Sequence, residues 1–150
     1  MTYIEKIMIG EILLLKTKGY LLDTTTISDI LRRNPLVLNR MKKVNPTEVY
    51  ISSVSQYEIE YGFILNPNSR KKFEKDLKRL YQEIGCIPMT TGIATIAATV
   101  ASQLKEKDKP IGLADVLIAA TGLAENLIVV TSNTRHFEKI KGIELDDWRE

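Results

Sequence analysis

Residues 113–131 read LADVLIAATGLAENLIVVT, a helix and a strand joined by two polar residues, Glu125 and Asn126. Over 113–124, Leu113, Val116, Leu117, Ala120 and Ala124 line one helical face, and Ile118, Ala119 and Gly122 line most of the other. A helix apolar on nearly all sides is a buried helix. Its single charge is Asp115. LIVVT (127–131) is a short β-branched run without polar alternation, the pattern of a strand covered on both faces.

Upstream the same alternation repeats. GYLLD (19–23) reads as a buried strand, and a helix follows over 24–33 with Thr24 or Thr25 available as N-cap. Pro35 opens a second short helix over 35–43. EVYISS (48–53) reads as a strand, VSQYEIEYGFIL (54–65) as a helix with apolar residues at 54, 57, 61 and 65, and NPNS (66–69) as a break. A charged amphipathic helix over 70–84 leads to a strand at CIPMT (86–90), where Pro88 suits an edge. An Ala-rich helix covers 92–106 and a loop 107–112; a short turn or helix spans 133–139 and IEL (143–145) makes a last strand. Strands alternating with helices predict a three-layer α/β/α domain with a mostly parallel sheet of about five strands. Sites in such sheets form beyond the carboxyl ends of the strands, which singles out Asp23 and residues 131–133.

The 150 residues suffice for one domain, and 44% hydrophobic with 27% charged content describes a soluble globular chain. A single cysteine, Cys86, excludes an intrachain disulfide and a Cys-rich zinc site, and a single histidine, His136, excludes a multi-His centre. Carboxylates, amides and hydroxyls are left to carry chemistry. The net charge of +2 argues little for nucleic acid. The basic residues are nevertheless bunched, at Lys71, Lys72, Lys75, Lys78 and Arg79 and again at Lys105, Lys107 and Lys109. Such runs are solvated helix faces or phosphate contacts. IMIGEILLL (7–15) is apolar but short and contains Glu11, so it neither spans a bilayer nor resembles a cleaved leader. The expectation is a cytoplasmic protein with a helical N-terminal extension over 1–18, whose residues 12–15 cover the domain's own core or dock on a dimer partner, followed by one domain over 19–150.

Three carboxylates stand in unusual places. Asp115 lies on the apolar helix, where either the helix dipole at its first turn or a bound cation must compensate it. At 100° per residue Glu58 falls between Val54, Tyr61 and Leu65 while Glu60 points away, so Glu58 faces inward, toward an ion pair or a metal. Asp23 ends a strand before three threonines, as an N-cap or as a ligand. Clustered acids repel unless a cation neutralises them, and oxygen-only donors suit Mg²⁺ or Mn²⁺.

Four stretches in order resemble the PIN-domain family, and within it the VapC ribonuclease toxins: YLLDTTTIS (20–28), SVSQYEIEYG (53–62), PIGLADVLIAATGL (110–123) and VVTSNTRHFEKIKGIELDDW (129–148). The resemblance covers about 19–149 and leaves 1–18 outside. It implies that Asp23, Glu58 and Asp115 hold the metal, that Asn133 occupies a fourth position often held by Asp, and that Thr131 supplies a nearby hydroxyl. The chain departs from the family at Thr25, where Asn is usual, which bears on how Asp23 is oriented. The resemblance further implies a strand order of 3-2-1-4-5, a homodimer, and Mg²⁺-dependent hydrolysis of structured RNA such as tRNA or rRNA to 5′-phosphate and 3′-hydroxyl ends. It also implies a cognate VapB-type antitoxin.

Arg32, Arg33, Arg135 and the lysines around 71–78 are candidates for RNA phosphates. His136 reads as a hydrogen-bonded or surface histidine ahead of a general base, Phe137 as core, and Tyr57 and Tyr61 as core ahead of base-stacking. A second class of function is a PIN-fold scaffold of RNA processing with little or no activity, to which Thr25 and Asn133 would be suited. A nucleotide-binding regulator is a poor fit, because neither GxGxxG nor a Walker A sequence occurs.

Overall fold

The computed structural model describes residues 2–5, 7–8 and 18–150. Five strands form one sheet: β1 (Tyr20–Leu22), β2 (Val49–Ser52), β3 (Gly85–Ile87), β4 (Ile128–Val130) and β5 (Leu145–Asp146). Their order is β3-β2-β1-β4-β5, and every pairing is parallel. The helices are α1 (Thr24–Leu31), α2 (Pro35–Lys42), α3 (Ser53–Leu65), α4 (Pro67–Glu83), α5 (Thr91–Glu106), α6 (Leu113–Ala124) and the single turn α7 (Thr134–Phe137).

The layers follow from strand alternation, since successive side chains point to opposite faces. Leu22 and Val130 enter the core built with Ile27, Leu31, Phe63, Leu77 and Leu80 from α1, α3 and α4. Their neighbours Leu21 and Val129 face the other way, against Ile118 of α6. Beyond them Ile93, Ala97 and Val100 of α5 pack on Val116, Ala119 and Ala120 of α6. Gly122 lets α6 lie close on the sheet: a Cβ there would come within 2.6 Å of Val129 Cγ2. The result is the expected α/β/α sandwich with strand order 3-2-1-4-5.

Boundaries moved where one residue serves two elements. Asn66 is the C-cap of α3 and the N-cap of α4, its side chain accepting from Ser69 N, and Pro67 takes the first helical position. The helix expected from residue 70 therefore starts at Pro67. The N-cap of α1 is Asp23, whose side chain accepts from Thr26 N, not Thr24 or Thr25. The last strand, expected at 143–145, is Leu145–Asp146. A larger correction concerns α3, whose apolar residues at 57, 61 and 65 do not enter the core: Tyr57, Tyr61 and Leu65 are more than half exposed. Its buried side chains are Ser55 and Phe63.

Most of the expected N-terminal helix, including 12–15, lies outside the described residues. Of the described ones, 3–5 and 7–8 are helical, and Thr2 and Glu5 cap each other reciprocally, Thr2 N to Glu5 Oε2 at 2.7 Å and Glu5 N to Thr2 Oγ1 at 3.1 Å. Among the described residues no helix is long and apolar enough to cross a membrane.

Candidate active site

The chain progresses outward from β1 to β2 and β3, then returns to place β4 on the other side of β1. This reversal opens a crevice past the carboxyl ends of β1 and β4, where ligands of open parallel sheets bind. Asp23 follows β1 directly, and Thr131, Ser132 and Asn133 follow β4. The two chain ends are stitched together, Asp23 N donating to Val130 O at 3.0 Å and Thr26 Oγ1 to the same carbonyl at 2.9 Å.

Asp23 is buried, with 3% of its surface exposed. Its Oδ1 accepts from Thr26 N at 2.9 Å and from Thr25 Oγ1 at 2.8 Å. Burial raises its pKa above the ordinary carboxyl value, and hydrogen bonds from Thr131, Thr26 and Thr25 hold that rise back. Thr25, at the position that departs from the family pattern, thus still orients Asp23, and Ser132 Oγ donates to Thr25 Oγ1 at 3.3 Å. Among the described residues no salt bridge reaches Asp23 or Glu58. Arg149, which Asp23 influences only through its charge, places its fork on Asp29, with Nε at 2.8 Å and an Nη at 2.7 Å.

Glu58, half-buried on α3, accepts the hydroxyl of Thr24 at 2.5 Å, and the same hydroxyl lies 3.1 Å from Ser55 Oγ. Glu60 instead pairs with Arg70 at 3.1 Å. Asp115, in the first turn of α6, has its Oδ2 3.1 Å from Nδ1 of His136, and that nitrogen lies 2.8 Å from the side-chain amide of Asn133. One ring nitrogen cannot donate to a carboxylate and accept from an amide at once. As a donor Nδ1 serves Asp115, and as an acceptor it serves the Asn133 amide, so the two contacts belong to alternative tautomers of His136. Asn133 N donates to Thr131 Oγ1 at 3.0 Å. His136 is thus a hydrogen-bonded, half-exposed residue and Phe137 beside it is fully buried.

Asp23 follows β1, Glu58 lies on the helix after β2, and Asp115 opens the helix before β4; Asp23 is held by hydroxyls, Glu58 by Thr24, and Asp115 by the imidazole of His136. Their donor chemistry, hard oxygen throughout, fits Mg²⁺ or Mn²⁺. A buried carboxylate without a salt bridge also favours a cation nearby. Among the described residues, however, no three His, Cys, Asp or Glu side chains are grouped to hold a metal ion. Glu58 is engaged by Thr24 and Asp115 by His136.

Residues 20–143 match the PIN domain. The chain belongs to the PIN-domain family. Within this PIN domain's relatives is the tRNA(fMet)-specific endonuclease VapC of Shigella flexneri, 26% identical over 129 residues, 86% of this chain and 97% of the relative. Toxin FitB of Neisseria gonorrhoeae is 34% identical over 125 residues, 78% of this chain and 89% of that one. Among solved structures, DNA-bound VapBC from Salmonella typhimurium aligns with TM-score 0.79 and 27% identity over 88% of this chain and 99% of the other.

Around the PIN-domain site, the arginines singled out from sequence part company. Arg32 lines a groove with Thr24, Ser28, Glu58, Phe63 and Asn66. Arg33 turns to Asp76 on α4, 3.4 Å away. Arg135 lines a pocket beside His136. Lys78 pairs with Glu74 and Lys72 lies over Phe73, so that part of the basic run on α4 is spent on its own helix. Sequence reasoning missed Thr24 and Ser132 as supports. The only local signal was their adjacency to Asp23 and Asn133.

Proposed function

We propose that the chain is the toxin of a VapBC-type pair, a Mg²⁺-dependent endoribonuclease acting on structured RNA such as tRNA or rRNA. The observation that carries this reading is the buried Asp23 at the β1–β4 crevice, which among the described residues has no salt bridge and is held only by hydrogen bonds from Thr25, Thr26 and Thr131. VapC relatives named as ribonucleases, matched along nearly their whole length, support it.

Asp23, Glu58 and Asp115 would hold the cation, with Asn133 as a neutral oxygen donor. When bound, Mg²⁺ supplies an acidified water and neutralises phosphate charge. The protein's own part is orientation. Thr24 fixes the Glu58 carboxylate, His136 fixes that of Asp115, and Thr25 and Thr131 hold Asp23. The products would carry 5′-phosphate and 3′-hydroxyl ends.

Two partners complete the reading. The exposed apolar side chains of α3, Tyr57, Tyr61, Ile64 and Leu65, suit a second copy in a homodimer. The groove lined by Thr24, Arg32, Glu58 and Phe63 suits a segment of an antitoxin, a reading supported by the likeness to VapBC of Salmonella typhimurium. RNA cleavage with Mg²⁺, with EDTA, and by Asp115→Asn tests the activity. Loss in both latter cases is expected, and a variant that cuts as fast as wild type would refute the assignment.

A further inference from the structure

We propose that the pocket between the 107–112 loop and α7 binds a backbone phosphate of the RNA flanking the bond that is cut, an inference that rests on the ribonuclease reading. The pocket encloses about 310 Å³ and is walled by Lys109, Ile111, Arg135, His136 and Lys139. His136 is the shared wall: its ring bonds Asp115 of the acidic site at 3.1 Å and lines this pocket. A strand of RNA lying across the acids therefore runs directly into it.

Charge decides the kind of occupant. Lys109, Arg135 and Lys139 face one acid, Glu138. Among the described residues none of these three cations makes a salt bridge, whereas Lys18, Arg33, Arg40, Arg70, Lys78 and Arg149 each do. Unpaired cations gathered in one concavity make a site for an anion that carries no sequence information, which is what a phosphodiester offers. Arg135 adds a planar fork suited to phosphate oxygens. The walls are also tied: Lys107 Nζ donates to the Lys139 carbonyl at 2.9 Å, so the loop and the end of α7 keep their spacing before RNA arrives. Asp108, with a φ of 53°, ends α5, and Lys109 N then donates to Leu104 O at 2.9 Å, which fixes where the loop leaves the helix. This assigns phosphate contact to Lys109, Arg135 and Lys139 in place of Arg33 and the α4 lysines.

The test is binding of a short fluorescein-labelled single-stranded RNA in EDTA, which suppresses cleavage, followed by kinetics in Mg²⁺. Lys109→Ala/Lys139→Ala should bind about tenfold more weakly at low salt, with a shallower dependence of affinity on salt by roughly 1.4 for two lost phosphate contacts. Arg135→Ala should weaken binding independently. Lys71→Ala/Lys75→Ala, the same charge removed from α4, should leave both quantities unchanged. In Mg²⁺ the pocket variants should raise KM about tenfold and change kcat less than about twofold. Equal losses in the α4 control, or an unchanged salt slope in the pocket variants, would overturn the proposal. Failure of wild type to cut any RNA would instead sink the ribonuclease reading, while the salt slopes would still decide the pocket.

Discussion

Helix α6 buries Val116, Ile118, Ala119, Ala120, Thr121 and Gly122, whereas α3, also rich in apolar residues, buries only Ser55 and Phe63. Tyr57, Tyr61, Ile64 and Leu65 of α3 are 65%, 53%, 69% and 67% exposed. Size explains the difference. Small residues of α6 sit at its tightest contacts, Gly122 on Val129 and Ala119 and Ala120 against α5, so the helix sinks between β4 and α5. The bulky residues of α3 have no such slot. Two of its tyrosines stack on each other, ring centroids 6.1 Å apart, at the surface. Apolarity along a helix thus predicts burial without saying whether the covering surface belongs to the same chain. Each helix also carries one acid of the proposed site, held in a different way: Asp115 contacts a histidine from α7, and Glu58 accepts from a threonine of α1.

The largest effects should come from removing those acids. Asp115→Asn and Glu58→Gln should each lower RNA cleavage by more than the roughly 10–100-fold typical of losing a residue that merely supports a metal ligand. His136→Ala and Thr24→Val, which remove the supports, should fall within that range. Single-turnover cleavage measures all four. If Glu58→Gln stays active while Asp115→Asn does not, α3 supplies only a wall of the site, and the two helices are unlike in function as well as in packing.

Next comes the exposed face of α3. Tyr57→Glu/Tyr61→Glu should weaken self-association about a hundredfold, as loss of paired aromatic anchors does. It should change monomer stability by less than about 0.5 kcal/mol, because both side chains are solvated already. Analytical ultracentrifugation and urea unfolding check the two halves. A wild-type chain that is monomeric at high concentration would remove the dimer from the account and leave the face for another partner.

What was legible in the sequence follows the same division. The strand runs YLL and IVV sit at the centre of the sheet with both faces covered, so their composition alone announces them. Asp23 was legible because a strand end is a local feature. The burial of the middle of α6 was legible because its faces agree there, whereas Leu113, read with the same face, is 74% exposed. The exposure of α3 was not, since it depends on what is absent from the chain. Nor were the supports of the acids: Thr24 and Glu58 are 34 residues apart and His136 and Asp115 are 21 apart, and no spacing rule reaches across such distances. The start of α4 was misplaced because Asn66 ends one helix and begins the next.

A smaller effect sharpens the account of α6. Gly122→Ala should destabilise the fold by about 1 kcal/mol. Overpacking against Val129 costs roughly 1–3 kcal/mol, and removing a helix-interior glycine returns roughly 0.5–1. Gly62→Ala on α3, where a Cβ would meet nothing within 4 Å, should stabilise by about the propensity difference alone. Urea unfolding of the pair compares the crowded helix with the open one directly.

The smallest expected effect distinguishes Asp23 from the acids on both helices, since it alone is fully buried and capping a third. Its folded pKa is raised by burial, so the folded state binds its proton more tightly than the unfolded chain. Stability from this group is complete below the unfolded carboxyl value and is lost as pH climbs through the folded value. Asp23→Asn keeps the cap, because asparagine serves there as well as aspartate, and has no charge to bury. In EDTA the variant should therefore gain on wild type as pH rises from about 4, then hold a constant advantage once Asp23 is ionised in both states. Adding Mg²⁺ should reverse the order by stabilising wild type and not the variant. Thermal unfolding across pH, with and without the metal, reads both signs. A variant less stable than wild type at neutral pH in EDTA would mean that the hydroxyls of Thr25, Thr26 and Thr131 outweigh burial, and that the crevice needs no cation to keep its carboxylate.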